Sequence, residues 1–492
     1  MNSAQNKVMP PDEVAGRAPA ATAAGGAHED DSNNGSNTST SSTSYSSTAR
    51  DDATTTRATS SAAGGSSTSS SSSSDDGSSS SSSSPTYPSA STAAEARLIE
   101  RHRHANGYTS RRVSVRERVS HFTWAWFECT MSTGAVATLL GQQPHTFPGL
   151  QTIGTVFFIL DLVLFVAFTC LITARFVMHP GALRLSLHHP HESFYFGTFW
   201  ISIALIIYGT QEYGVPNAGP WLVRALEILF WCEAAGALLV VIFQYHIIFD
   251  EEELPVKDAM PTWLLPAYPF LVLGPLAAVL ESSQPLPSAT SVFIGGLVFE
   301  GLGWSVAFIM YTVYFTRLIN SKLPTESKRP GMFVAVGPAG YTSSTLAALG
   351  MQAPRVIPAD YLGLSVPTGE LWKAMAVPAA MFVWLVGFWF FALAVVSCLR
   401  GARRMYFTLS WWAFVFPNAG LTLGAIMIAN AINSPGIKWL CSAVSALIVA
   451  VWLGVAAMNI RAVWKRQVLW PGADEDMEDL EGRLAHDKAR HD

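Results

Sequence analysis

Hydroxyl and amide side chains that could stabilise an anion lie within three apolar stretches of the sequence. They are Thr130, Ser132 and Thr133 in the first stretch, Thr342, Ser343, Ser344 and Thr345 in the second, and Asn418 and Thr422 in the third. Such donors can replace the water around an anion, whereas a lysine or arginine at the same depth would hold it too tightly for release. These residues predict a path for anions. The alternative is that each hydroxyl bonds a carbonyl of its own helix.

Four carboxylates also lie in apolar stretches, at Glu128, Asp161, Glu233 and Glu300. An ionised side chain at the centre of a bilayer costs about 2.5–3.5 kcal/mol on insertion scales, so each should be protonated, paired or exposed to water. Glu128 lies two residues before Thr130, the start of the first hydroxyl cluster. It is therefore the candidate for carrying a proton beside an anion, the alternatives being an ionised group at the mouth or one paired with a base.

The stretch HHPHE, residues 188–192, suggests a different chemistry. His188, His189, His191 and Glu192 look like part of the histidine box of a membrane metalloenzyme. Such a site needs several clusters that converge on the metal, and the other histidines of the sequence are scattered. The stretch therefore favours a polar loop, and no metal, other cofactor or enzymatic activity is predicted. A membrane metalloenzyme is the alternative from another functional class.

The chain around these groups has the composition of a membrane protein. Of its 492 residues, 49% are hydrophobic and 14% are charged. A helix needs about 20 apolar residues to cross a bilayer, and ten runs of about that length predict an all-α membrane protein with ten transmembrane helices. The runs lie at 120–141, 151–177, 193–211, 221–248, 262–281, 288–316, 330–351, 373–399, 406–430 and 436–463.

The remaining segments and the basic residues complete the predicted organisation. Residues 1–95 are rich in serine and threonine and are predicted to be disordered, 96–119 form a basic juxtamembrane segment, 120–463 the transmembrane domain and 464–492 an acidic tail. Basic residues lie before the first run, in alternate connections and after the last run. The positive-inside rule therefore places both termini in the cytosol.

Helix-breaking residues recur in the odd-numbered runs. The fifth contains TWLLPAYP, the seventh RPGMFVAVGPAG and the ninth WWAFVFPNAG. A proline within a helix frees a carbonyl that must then face protein or water. Bends are accordingly predicted at Pro266, Pro338 and Pro417, with the odd helices lining a passage and the straighter even helices packed outside.

Several of these motifs occur together in one known family. With HFTWAWF and STG near the first run and LWPG after the last, they resemble the tellurite-resistance/dicarboxylate transporter family, in particular its fungal malic acid transporters, over about residues 115–475. The resemblance implies ten helices as five hairpins around a central anion pore. It also implies transport of malate or related four-carbon dicarboxylates across the plasma membrane, often by a homotrimer. Sulfite efflux is the alternative within the family.

The resemblance also implies a gate. In channel members of this superfamily a phenylalanine on the ninth helix plugs the pore, and its counterpart here is Phe416, with Phe414 as the second candidate. A bend at Pro417 would direct the Phe416 ring into the lumen. The expected partners are the anion, protons and the lipid bilayer, and no nucleic acid is expected.

Overall fold

Helices are the regular secondary structure of residues 114–251 and 254–470, the part of the chain that the computed structural model describes, and no strand occurs among them. The predicted disorder of residues 1–95 and most of the predicted basic segment and acidic tail fall outside the described residues. The all-α prediction is confirmed for the described part.

Ten long helices occur in the described residues, and each overlaps one of the ten predicted runs. We number them in chain order and give shorter helices by their ranges. They are α1 (Phe127–Gly141), α2 (Leu150–Met178), α3 (Phe196–Gly209), α4 (Pro220–Glu251), α5 (Tyr268–Leu280), α6 (Leu286–Asn320), α7 (Val336–Val356), α8 (Thr368–Gly401), α9 (Phe416–Ala431) and α10 (Pro435–Trp464).

Eight helical segments of the described chain are long and apolar enough to span a membrane. They are Leu150–Met178, Glu192–Asn217, Pro220–Asp250, Pro261–Leu280, Leu286–Asn320, Thr368–Gly401, Leu409–Ala431 and Pro435–Trp464. The protein is therefore a multipass membrane protein. The other two long helices do not meet these criteria: α1 has 15 residues, and α7 carries a run of glycine, serine and threonine in its first half.

Odd- and even-numbered helices differ sharply in burial. All residues of α1 except Gly141 are buried, and 89% of the most apolar part of Pro261–Leu280 is buried, against 17% for α2 and 28% for α8. The odd helices contact one another in the cyclic order α1, α3, α5, α7, α9 and back to α1, and each also packs on the even helix that follows it. The odd helices thus form a closed inner layer, and the even helices an outer layer.

Each inner helix is preceded by a 3-10 segment. These segments are Trp124–Trp126, Glu192–Tyr195, Pro261–Ala267, Glu326–Ala335 and Leu409–Phe414. They contact one another in the same cyclic order as the helices, so all five lie at one end of the inner layer, which we call the 3-10 end.

The predicted proline bends within continuous helices are wrong. The segment before α9 ends at Phe414, Val415 has φ −105° and ψ −67°, and α9 begins at Phe416 with Pro417 in its first turn. Pro338 likewise lies in the first turn of α7, and Pro266 lies inside a 3-10 segment. The first turn of a helix has no partner for its N–H groups, so a residue without an N–H fits there. These prolines therefore start helices, or precede their start, and do not bend them.

The HHPHE stretch forms the turn that leads into α3. The Glu192 carboxylate accepts hydrogen bonds from both terminal nitrogens of the Arg175 guanidinium and from Ser186 Oγ (2.7 Å), and all three side chains are buried. His189 Nδ1 accepts the backbone N–H groups of His191 (3.2 Å) and Glu192 (3.0 Å). These two side chains of the supposed histidine box therefore fix a connection between α2 and α3.

Candidate functional site

Three aromatic rings meet in the inner layer, and we call them the aromatic cluster: Tyr268 of α5, Tyr341 of α7 and Phe416 of α9. The Phe416 ring centroid lies 5.6 Å from that of Tyr268 and 5.0 Å from that of Tyr341. Phe416 and Tyr268 are 0% exposed, and Tyr341 is 2% exposed. Three different inner helices thus contribute one closed contact.

Hydrogen bonds of the tyrosines tie the cluster to the starts of the inner helices. The Tyr268 hydroxyl donates to the Val334 carbonyl (2.8 Å), and the Tyr341 hydroxyl donates to the Phe416 carbonyl (3.3 Å). Both carbonyls lie where a 3-10 segment gives way to an α-helix. The rings are therefore held in place by the interrupted backbone around them.

Helices α7 and α9 approach closely beside this cluster because glycines face each other. A Cβ on Gly420 would lie 2.5 Å from Tyr341 Cε2, and one on Gly424 would lie 2.2 Å from Ser343 Oγ and 2.8 Å from the Gly340 carbonyl oxygen. No side chain fits at these positions without displacing a neighbour. The short contact sets the position of Phe416 relative to α7.

Phe414, the second gate candidate, belongs to a different group of rings. It is half-buried, and its ring lies 5.2 Å from that of Phe333 and 5.7 Å from that of Trp411. Both partners belong to 3-10 segments. Phe414 therefore packs at the 3-10 end, outside the aromatic cluster.

The hydroxyls of α1 bond carbonyls of the inner layer. Thr130 Oγ1 lies 2.9 Å from the Phe127 carbonyl and 2.7 Å from Ser202 Oγ, and Ser132 Oγ donates to the Trp412 carbonyl (3.2 Å). Thr133 Oγ1 donates to the Cys129 carbonyl at 2.7 Å. All three candidate residues are buried.

The candidate residues of α7 and α9 are arranged in the same way. Ser343 Oγ donates to the Gly340 carbonyl (2.7 Å), and Thr422 Oγ1 donates to the Asn418 carbonyl (2.8 Å). Asn418 Nδ2 donates to the Phe414 carbonyl (2.9 Å), while Asn418 Oδ1 is buried without a hydrogen-bond partner among the described residues. Most of the candidate donors are thus hydrogen-bonded to backbone carbonyls.

Outer helices place polar groups against the inner layer near mid-helix, and we call four of them the polar belt: Asp161, Glu300, Trp384 and Trp452. The Trp384 indole N–H donates to the Leu421 carbonyl (2.9 Å), and the Trp452 indole N–H donates to Thr133 Oγ1 (3.1 Å). The two tryptophans are not predicted from the sequence, because an indole in an apolar helix has no distinctive local pattern.

Glu300 is the best satisfied carboxylate of the belt. It accepts hydrogen bonds from Thr342 Oγ1 (2.6 Å) and Thr345 Oγ1 (3.1 Å) of α7 and is 2% exposed. A Cβ on Gly274 of α5 would lie 2.5 Å from Glu300 Oε2 and 2.3 Å from Thr345 Oγ1. Thr342, predicted to line an anion path, thus bonds a carboxylate of the outer layer.

The other two carboxylates lie in different surroundings. Glu128 is 1% exposed and lies in the first turn of α1, where the partial positive charge of the helix N-terminus stabilises a carboxylate. Glu233 of α4 is 2% exposed, and its Oε1 has no hydrogen-bond partner among the described residues. The four carboxylates of the apolar stretches therefore do not form a single group.

The sequence profile of the voltage-dependent anion channel family matches residues 121–460, which include all ten long helices but the last turn of α10. The chain belongs to this family. The resemblance inferred from the sequence is thereby confirmed, and the protein is an anion transport protein of a family of channels and transporters.

Proteins similar to this member of the family include fungal transporters of two kinds. A putative malic acid transport protein of Schizosaccharomyces pombe is 31% identical over 75% of this chain and 86% of its own length, and a malic acid transport protein of the same organism is 30% identical over 74% and 83%. A sulfite efflux pump of Arthroderma benhamiae is 29% identical over 70% and 91%.

We predict that Gly274→Ala destabilises the protein, because the added methyl group must displace the Thr345 hydroxyl or the Glu300 carboxylate. Overpacking of this kind costs about 1–3 kcal/mol. Gly301→Ala is the matched control, since a Cβ there meets nothing within 4 Å. Melting temperatures of the detergent-solubilised proteins compare the two variants. Equal melting temperatures would show that α5 and α6 do not depend on this contact.

Proposed function

We propose that the protein carries small organic anions, above all malate and related four-carbon dicarboxylates, across the plasma membrane. The support is its membership of an anion channel family together with the 31% and 30% identity to malic acid transport proteins over most of both chains. The sulfite efflux pump at 29% identity makes sulfite the second candidate.

The proposed route for the anion runs through the middle of the inner layer. The five odd helices contact one another in a closed cycle, so a passage along their common axis would be surrounded by protein on all sides. All ten long helices would cross the membrane as five hairpins. Helices α1 and α7 would cross the membrane without a long apolar stretch, because inner helices are buried in protein and do not contact lipid.

The basic residues support one orientation of the protein in the membrane. Arg118, Arg184, Lys328, Arg404 and Lys465 lie in segments that flank or precede the inner helices on the 3-10 side. We infer that this side faces the cytosol, with both termini, because basic residues are retained there. The apolar outer helices would contact lipid, and each subunit of a homotrimer would carry its own passage.

The aromatic cluster supports a gate at Phe416. A fully buried ring held between two tyrosines from neighbouring inner helices would close the axis both sterically and by excluding water. When the ring moves aside, the hydroxyls and amides of α1, α7 and α9 would exchange carbonyl partners for the anion. Thr130, Ser132, Thr133, Thr342, Ser343, Asn418 and Thr422 are the residues proposed for this role, shaped by Pro266, Pro338 and Pro417 at the helix starts.

Transport of labelled malate into liposomes containing the purified protein tests the substrate. We expect saturable uptake that unlabelled succinate inhibits and that sulfite inhibits weakly, because a site built for two carboxylates binds a single small anion less well. Empty liposomes provide the background. Strong inhibition by sulfite with little effect of succinate would favour sulfite as the substrate.

Phe416→Ala is predicted to raise the basal anion conductance several-fold, because it removes the ring that fills the space between Tyr268 and Tyr341. Phe414→Ala is the matched control: it removes a ring of the same size that lies outside the aromatic cluster and should mainly weaken packing at the 3-10 end. Currents in oocytes at equal surface expression make the comparison. An increase for Phe414→Ala alone would transfer the gate to that ring, and an increase for neither variant would exclude a phenylalanine gate.

A further inference from the structure

The polar belt contains two carboxylates, and Asp161, near the middle of α2, is the one without hydrogen bonds from the described residues. It is 0% exposed, and neither Oδ1 nor Oδ2 has a hydrogen-bond partner among the described residues. Glu300, in the equivalent place on α6, accepts hydrogen bonds from two hydroxyls. The two carboxylates therefore differ in what stabilises them, although both are buried at a similar depth.

The surroundings of Asp161 supply no compensating positive charge. On α1 the carboxylate faces Cys129 and Gly134, where a Cβ would lie 2.7 Å from Oδ2, and on α3 it faces the region of Leu205. On α10 the Trp452 ring packs edge-to-face on Phe157, one turn before Asp161. The titratable neighbour in the described residues is thus a thiol, and none of these helices presents a lysine, arginine or histidine there.

A carboxylate in such a place is stable as the neutral acid and unstable as the anion. Burial removes the water around the carboxylate, and neither a hydrogen bond nor a positive charge replaces that water. The ionised form is therefore disfavoured. Buried ionisable residues within membrane helices commonly take part in proton pathways. The position of Asp161 therefore suits a neutral side chain better than a charged one.

Asp161 lies close to the residues of α1 that are proposed to meet the anion. It lies against α1 at the level of Thr133 and Gly134, and Thr130, Ser132 and Thr133 are the residues of α1 proposed to meet the anion. An anion in the passage repels an ionised Asp161 and so favours its protonated form. Because such coupling is reciprocal, the proton also favours the anion.

We propose that Asp161 is a proton-binding site that takes up and releases a proton as the anion passes, so that proton and anion move in the same direction. The proposal rests on the proposed transport function. It differs from the expectation for Glu128, since Asp161 is stabilised by neither a helix N-terminus nor a hydrogen bond within the described residues.

The proposal is tested by uptake of malate into proteoliposomes, measured with and without a pH gradient. The acidic side of the gradient is the side to which malate is added. The gradient should accelerate uptake several-fold in the parent protein and leave it unchanged in Asp161→Asn, which imitates the neutral acid. Glu300→Gln serves as the control and should retain the acceleration, and Glu128→Gln tests the alternative proton carrier. Acceleration that persists in Asp161→Asn, or that disappears in Glu128→Gln alone, would overturn the proposal.

Infrared spectroscopy of the parent protein provides a test that needs neither transport nor a folded variant. Protein labelled with carbon-13 at the aspartate carboxyl groups should show the carbonyl band of a protonated aspartic acid at neutral pH, where exposed aspartates are ionised. Absence of this band would overturn the proposal. If the band is present but no malate enters the liposomes, the proposed substrate is wrong while the buried proton stands.

Discussion

An interrupted helix can lie at membrane depth only where other protein satisfies its freed backbone groups, and the described structure depends on this constraint. All five inner helices begin with a 3-10 segment, and side chains supply the donors that the carbonyls of these segments lack. Tyr268 donates to Val334, Tyr311 to Ala335 and Ser132 to Trp412. The helices of the outer layer, by contrast, are long, continuous and apolar.

The same constraint shapes the centre of the inner layer. Most of the hydroxyls and amides that could bind an anion donate to backbone carbonyls, and Thr342 donates to the Glu300 carboxylate. Opening would move the Phe416 ring and release donors at the same time. The described inner helices place no lysine or arginine near the middle of the proposed passage, so that an anion could enter it without being trapped.

Much of this architecture could be predicted from the sequence, because apolar length and helix-breaking residues are local signals. Each of the ten predicted runs overlaps one long helix of the described residues, and the difference between odd and even runs appears as a difference in burial. The role of Pro417 was predicted incorrectly, since the sequence around it does not show whether a proline bends a helix or begins one. The partners of Glu300 were not predicted, because Thr342 lies 42 residues away and only packing brings the two together.

The central claim, that the aromatic cluster closes a passage along the inner layer, is tested most directly by the accessibility of Thr422→Cys, on α9 beyond Phe416. The exposed Cys170 and Cys232 would first be replaced by alanine, whereas Cys129, Cys398 and Cys441 are buried. A charged thiol reagent added on the 3-10 side should fail to modify Thr422→Cys while Phe416 is present and should modify it when Phe416 is also replaced by alanine. Modification from the 3-10 side at the same rate with and without the Phe416 ring would contradict the account.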